Sequence, residues 1–127
     1  MFRYIQLIND LINETKHGKI EWGPLEVEIR YKLQKEIVGD IINGYSAWYR
    51  NKRIGIFLHE FSVFDREYDL YVKNKRAEVF ISNKNDIYVI DEAVVGEADI
   101  WADCFRLYKL AQLNYGEIDS IVDDLIK

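Results

Sequence analysis

His59 and Glu60 are the nearest thing in this sequence to a catalytic pair, and they are adjacent. Neighbours on a strand point to opposite faces, so these two cannot share a metal ion or a proton path. The other histidine, His17, stands far off at the end of a helical stretch, and no HExxH pattern is present; with so few imidazoles, no metal site is read. Asp91, Glu92, Glu97 and Asp99 form an acidic cluster without the alternating ligands and central glycine of a calcium loop. It reads as a solvated connector in which Asp99 caps the next helix. Asp65, Glu67, Asp69 and Lys73 carry nuclease-like residue types at the wrong spacing, and Ser46, Ser62, Ser82 and Ser120 lie in no glycine elbow. Cys104, the only cysteine, sits among Ile100, Phe105, Leu107 and Tyr108, which marks a buried thiol and excludes an internal disulfide. These residues point away from an enzyme, and no catalytic residue or cofactor is assigned.

Aromatic and arginine chemistry is what remains. Trp48, Tyr49, Arg50 and Arg53 surround a hairpin, Arg76 and Phe80 fall on a later strand, and Trp101, Arg106 and Tyr108 fall on a helix. Ring faces and guanidinium groups are what a nucleobase and a phosphate require. Trp48, Arg53, Arg76, Phe80, Trp101 and Arg106 are therefore the candidate ligand-binding residues. The same types also serve as core rings and as arginines that snorkel to the surface.

The stretch from Arg53 to Glu92 must position Arg53, Arg76 and Phe80. Apolar and polar residues alternate through RIGIFLHEF, DREYDLYVKN, KRAEVFISN and DIYVIDE, the pattern of antiparallel strands in a meander. Turns are expected at Asn51-Lys52, Phe64 to Glu67, Asn74-Lys75 and Asn83 to Asp86. Alternation assigns Ile54, Ile56, Leu58, Leu70, Val72, Val79, Ile81, Ile87 and Val89 to a core face under helices. The other face takes Phe57, His59, Asp69, Tyr71, Lys73, Glu78, Phe80 and Tyr88. Its rings among charges suit a covering helix, a contact between subunits or a ligand site.

Helices flank the meander. Ile5, Ile8, Leu11, Ile12 and Thr15 form one stripe of an amphipathic helix from Phe2 to Lys16, with Gly18 placed to end it. Leu25 to Ile42 has both strand alternation and an i+4 recurrence at Ile29, Leu33, Ile37 and Ile41. It is read as a helix opened by Pro24 and closed by Asn43-Gly44, the alternative being a strand in its first half. IWADCFRLYKLAQL forms a further helix, and Ile118, Ile121, Val122 and Leu125 supply the stripe of a short last one.

The expected fold is α+β, one domain over residues 1–127, with an antiparallel sheet of about five strands and the terminal helices mainly on one face. The 127 residues, 49% hydrophobic and 31% charged, suffice for an ordinary core. A net charge of −5 without a basic stripe argues against nucleic acid. No signal peptide and no bilayer-length apolar run is read, so a cytoplasmic location is expected.

FRYIQLINDLINETKHGKIEW, a strand-rich middle opening GYSAWY, and FRLYKLAQLNYGEIDSIVDDLIK together resemble a loose group of small uncharacterised proteins of Gram-positive bacteria and their phages. The shared features are a first helix ending in Gly-Lys-Ile-x-Trp and a Leu-Tyr helix followed by a short acidic one. The resemblance implies a setting, in which such proteins work by binding, and with the residues above the expected function is a non-enzymatic, homo-oligomeric binding protein that inhibits host defence. Its sharper form sequesters a nucleotide-derived signal. The alternatives are a protein-binding inhibitor or toxin immunity protein, whose Asp91, Glu92, Glu97, Asp99, Asp119, Asp123 and Asp124 would meet a basic host protein, and a metal-dependent hydrolase.

Overall fold

A computed structural model of the chain describes residues 3–90 and 100–127. The first helix, α1 (Arg3–Lys16), buries Ile8, Leu11, Ile12 and Thr15 along the expected stripe. Gly18 ends it at φ 70°, and the Gly18 and Lys19 amides bond back to the carbonyls of Thr15 (3.1 Å) and Glu14 (2.9 Å). The chain then lays Ile20 and Trp22 into the core and forms β1 (Gly23–Pro24). After α2 (Val27–Glu36) come β2 (Asp40–Tyr49), β3 (Lys52–Asp65), β4 (Leu70–Asn83) and β5 (Asp86–Ile90). Two helices follow, α3 (Ile100–Asn114) and α4 (Glu117–Leu125).

The five strands form one sheet in the order β1-β2-β3-β4-β5, each antiparallel to the next. The fold is thus α+β, with α1 and α3 on one face. There Ile8, Leu11, Cys104, Leu107 and Ala111 pack on Tyr45, Ile54, Ile56 and Val79. On the opposite face α2 sets Leu33 over Ile41, Phe57 and Phe80, making a second, smaller core.

Several sequence expectations are corrected. The helix read over Leu25 to Ile42 stops at Glu36, because Ile37 is already extended and Gly39 turns the chain at φ 86°. Asn43-Gly44 does not close a segment; it lies within β2, just past a break in the β2–β3 register. The first hairpin turns on Arg50 and Asn51, both at positive φ as a two-residue turn requires, one residue before the expected Asn51-Lys52. Its successor turns over Arg66 to Asp69, where Asp65 Oδ1 accepts from the Glu67 amide at 2.9 Å. No turn occurs at Asn74-Lys75; β4 runs straight through it. Two expected strands are therefore one, and Gly23–Pro24 supplies the fifth.

Loss of that turn changes the faces. Leu70 and Val72 keep step with Glu78 and Phe80 rather than with Val79, while Tyr71 and Lys73 lie opposite Phe64 and Ser62 on the α1/α3 side. Tyr88 pairs with Ile81 on that side too, and Ile87 and Val89 pack beneath α2. Asp69 belongs to the turn, at φ 52°.

Candidate functional site

Phe57, His59 and Phe61 occupy successive positions on one face of β3, opposite Glu78, Arg76 and Asn74 of β4. A row of rings thus runs beside a row of polar side chains. The helix α2 has ten residues, a length of about 15 Å, and cannot cover the whole face. It shields Phe57 and ends before His59. The uncovered part is a cleft of about 490 Å³. Ile37 and Val38 of the α2–β2 connection form one wall, Ile87 and Val89 the other, and Phe61 and Arg76 lie at its open end. That volume is in the range of small-molecule sites.

The α2–β2 wall is tied down by side chains. Gln34 donates to the Gly39 carbonyl and accepts from the Ile41 amide at 3.2 Å, and Arg30 donates to the Ile41 carbonyl at 2.8 Å. From the sheet, His59 Nδ1 donates to the Val38 carbonyl at 2.9 Å.

His59 and Glu78 are each 5% exposed at the cleft floor. His59 Nε2 lies 3.0 Å from Glu78 Oε2, an ion-pair separation. The approach is off the N–H axis, so Nε2 has a close carboxylate without a well-aligned hydrogen bond. Burial pulls the His59 pKa down, but the Glu78 carboxylate and the Val38 carbonyl outweigh burial and the nearby Arg76 charge, and the pKa is raised. A protonated ring donates at both nitrogens, toward two acceptors that are both in place. In that state His59 counters the Glu78 charge, and through Nδ1 it anchors the wall.

Arg76 is the charge left over. Its guanidinium lies over the Phe61 ring, 5.3 Å from the centroid, and among the described residues no carboxylate pairs with it. The Phe61 ring also stacks on His59, with centroids 5.2 Å apart. The cleft can thus accept an anionic group at Arg76 and an apolar or planar body between Ile37 and Val89.

No family model, curated protein or solved structure matches the chain. The site stands on its geometry.

The six residues singled out from sequence fall in separate places. Arg76 alone lines the cleft. Trp101, half exposed on α3, meets Phe61, Asn74, Lys75 and Arg76 around a smaller hollow of about 200 Å³. Trp48 and Arg53 pair at the far end of the sheet, with the guanidinium 5.2 Å from the ring, but Arg53 is bound to Glu26 and to Ser46 at 3.1 Å. Phe80 is fully buried against Phe57 and cannot stack on a ligand, because α2 covers it. Arg106 is exposed on α3 beside Asp103 at 3.5 Å, away from the cleft lining.

Sequence reasoning missed the pairing of His59 with Glu78. It rightly separated His59 from Glu60, whose carboxylate meets Lys73 at 3.4 Å on the opposite face. It also placed His59 and Glu78 on one face. The missing information was the hairpin centre: a turn over Arg66 to Asp69 makes His59 and Glu78 diagonal neighbours. The acidic cluster at residues 91, 92, 97 and 99, with its helix cap, lies outside the described residues. Among the described residues no three His, Cys, Asp or Glu side chains gather as a metal site, and no helix is long and apolar enough to cross a membrane.

Proposed function

We propose that this chain is a non-catalytic binding protein that holds a small anionic ligand with a planar or apolar body in the His59–Arg76 cleft. The observation that carries the reading is Arg76: a guanidinium with no carboxylate partner among the described residues, at the mouth of a cleft of about 490 Å³ whose buried His59 and Glu78 already lie within ion-pair distance of one another. Leaving such a cation unpaired makes it available to a phosphate or carboxylate. A nucleotide-derived signal belongs to this ligand class, and sequestering one would suit the anti-defence role implied by the resemblance to small phage proteins.

Native mass spectrometry of gently purified protein, followed by calorimetric titration with nucleotides, tests it. An adduct in the nucleotide mass range should appear on the wild type and on Arg53→Ala and Arg106→Ala, and vanish from a folded Arg76→Ala. Bare protein that gives no binding heat with any nucleotide would overturn it.

A second reading rests on α4. Ile121, Val122, Leu125 and Ile126 are exposed there, beside Asp119, Asp123 and Asp124. An apolar stripe flanked by acid suits a basic protein segment better than a second copy of the same acidic helix. Pull-down of a basic partner that is lost with Leu125→Asp supports this reading; retention of the partner by that variant refutes it.

A further inference from the structure

The outer edge of β4 changes character at Val79. From Val79 to Asn83 it pairs with β5, and from Leu70 to Glu78 it has no strand partner among the described residues. Trp101, near the start of α3, comes to this unpaired edge from the α1/α3 side of the sheet. There the hollow of about 200 Å³ opens between its indole, Phe61, Asn74, Lys75 and Arg76. Phe61 and Arg76 line the main cleft as well. The two cavities therefore meet at one guanidinium, with His59 and Glu78 on one side of it and Trp101 and Lys75 on the other.

Their chemistry differs. The main cleft has aliphatic walls at Ile37, Ile87 and Val89 and, at its mouth, Arg76, a cation unpaired among the described residues. The hollow adds a second cation, Lys75, and the half-exposed indole of Trp101. Lys75 has no carboxylate within ion-pair distance among the described residues. Cations flanked by rings on both sides match a ligand with anionic groups in its middle and planar groups at its ends. A mononucleotide fills only one half of that arrangement.

Resting on the binding reading above, the geometry points to a two-ended ligand of the dinucleotide class. Its phosphates lie at Arg76 and Lys75, one ring enters the cleft over the His59–Glu78 floor, and the other ring stacks on Trp101. Stacking a base on an indole contributes enough to raise affinity about tenfold. Trp101 is then the residue that distinguishes a dinucleotide from a mononucleotide, while Arg76 serves both.

Titration of the intact protein with the four 5′-mononucleotides and the matching linear homodinucleotides separates the two claims. For at least one base the dinucleotide should bind about tenfold tighter. Trp101→Ala should bring that affinity down to the mononucleotide level without changing mononucleotide binding, and Arg76→Ala should abolish both. In a Trp48→Phe background, where the buried Trp22 and Trp101 remain, dinucleotide binding should change the emission and mononucleotide binding should not, and adding Trp101→Ala should remove the change, a readout that a merely structural tryptophan would not give. Equal affinities for mono- and dinucleotides, or a Trp101→Ala protein that keeps the preference, would overturn the two-ended ligand and leave the cleft reading intact. No binding of either class would overturn both.

Discussion

His59 Nε2 lies 3.0 Å from Glu78 Oε2, diagonally across the β3–β4 pair and almost wholly out of water. Because Glu78 and the Val38 carbonyl outweigh burial, the folded protein binds the His59 proton more tightly than the unfolded chain does. The stabilisation is fully present below the ordinary value of 6.5 and is lost as pH rises through the higher folded pKa. Melting temperature should therefore fall across that window. In Glu78→Gln the carboxylate is gone while burial and Arg76 remain, so the His59 pKa should drop below its wild-type position. Histidine NMR titration and thermal melts at stepped pH check both statements; a wild-type pKa below 6.5 would contradict them.

Glu78→Leu leaves an imidazolium-prone ring buried without its counter-charge, and removal of one partner from a buried pair costs about 3–5 kcal/mol. Replacing both residues removes the uncompensated charge along with the pair. His59→Leu/Glu78→Leu should therefore recover most of the loss in urea unfolding, although the Val38 carbonyl loses its donor. A double variant as unstable as Glu78→Leu alone would mean that the pair contributes net stability.

Much of this architecture is visible in the sequence, for definite reasons. The stripe Ile8, Leu11, Ile12 and Thr15 reads as a helix because its spacing fits no strand, and Cys104 reads as buried from its neighbours. Ile37 and Ile41 misled because an i+4 interval is also an even interval. Both patterns fit, and only the backbone turn at Gly39 decides between them. Asn74-Lys75 misled because turn-forming residues also occur where two strands project beyond the rest of a sheet and water reaches both sides. Once that false turn is placed, Leu70 to Lys73 invert against Glu78 and Phe80, and the Arg76–Trp101 neighbourhood cannot be seen. The cleft was illegible for another reason: it exists only because α2 ends at Glu36, short of His59.

Gly39 should be the least replaceable residue of the cleft wall. Its φ of 86° disfavours any side chain, and an added Cβ would overlap the Glu60 carbonyl oxygen and approach Phe61 Cβ to 2.8 Å. Gly18 shares the left-handed conformation, at φ 70°, but faces open space. Gly18→Ala should therefore cost about 1 kcal/mol, from conformation alone. Gly39→Ala should cost clearly more and weaken ligand binding, since it displaces Val38 from His59. Chemical denaturation of the two variants in parallel measures the difference, and equal losses would show that the wall yields freely.

Trp22 fixes the α1 end of the core through a chain of hydrogen bonds. Its Nε1–H donates to Thr15 Oγ1 at 3.0 Å, and the Thr15 hydroxyl donates to the Leu11 carbonyl at 2.7 Å. Both side chains are buried, so Thr15→Val keeps the shape of the site while stranding the indole N–H. A buried donor left without an acceptor costs about 1–3 kcal/mol. Thr15→Ser keeps the oxygen and gives up only a methyl group, for about 1 kcal/mol. Urea unfolding should rank wild type above Thr15→Ser and Thr15→Ser above Thr15→Val. The reverse order for the two variants would show that methyl packing, rather than the hydroxyl, holds Trp22 in place.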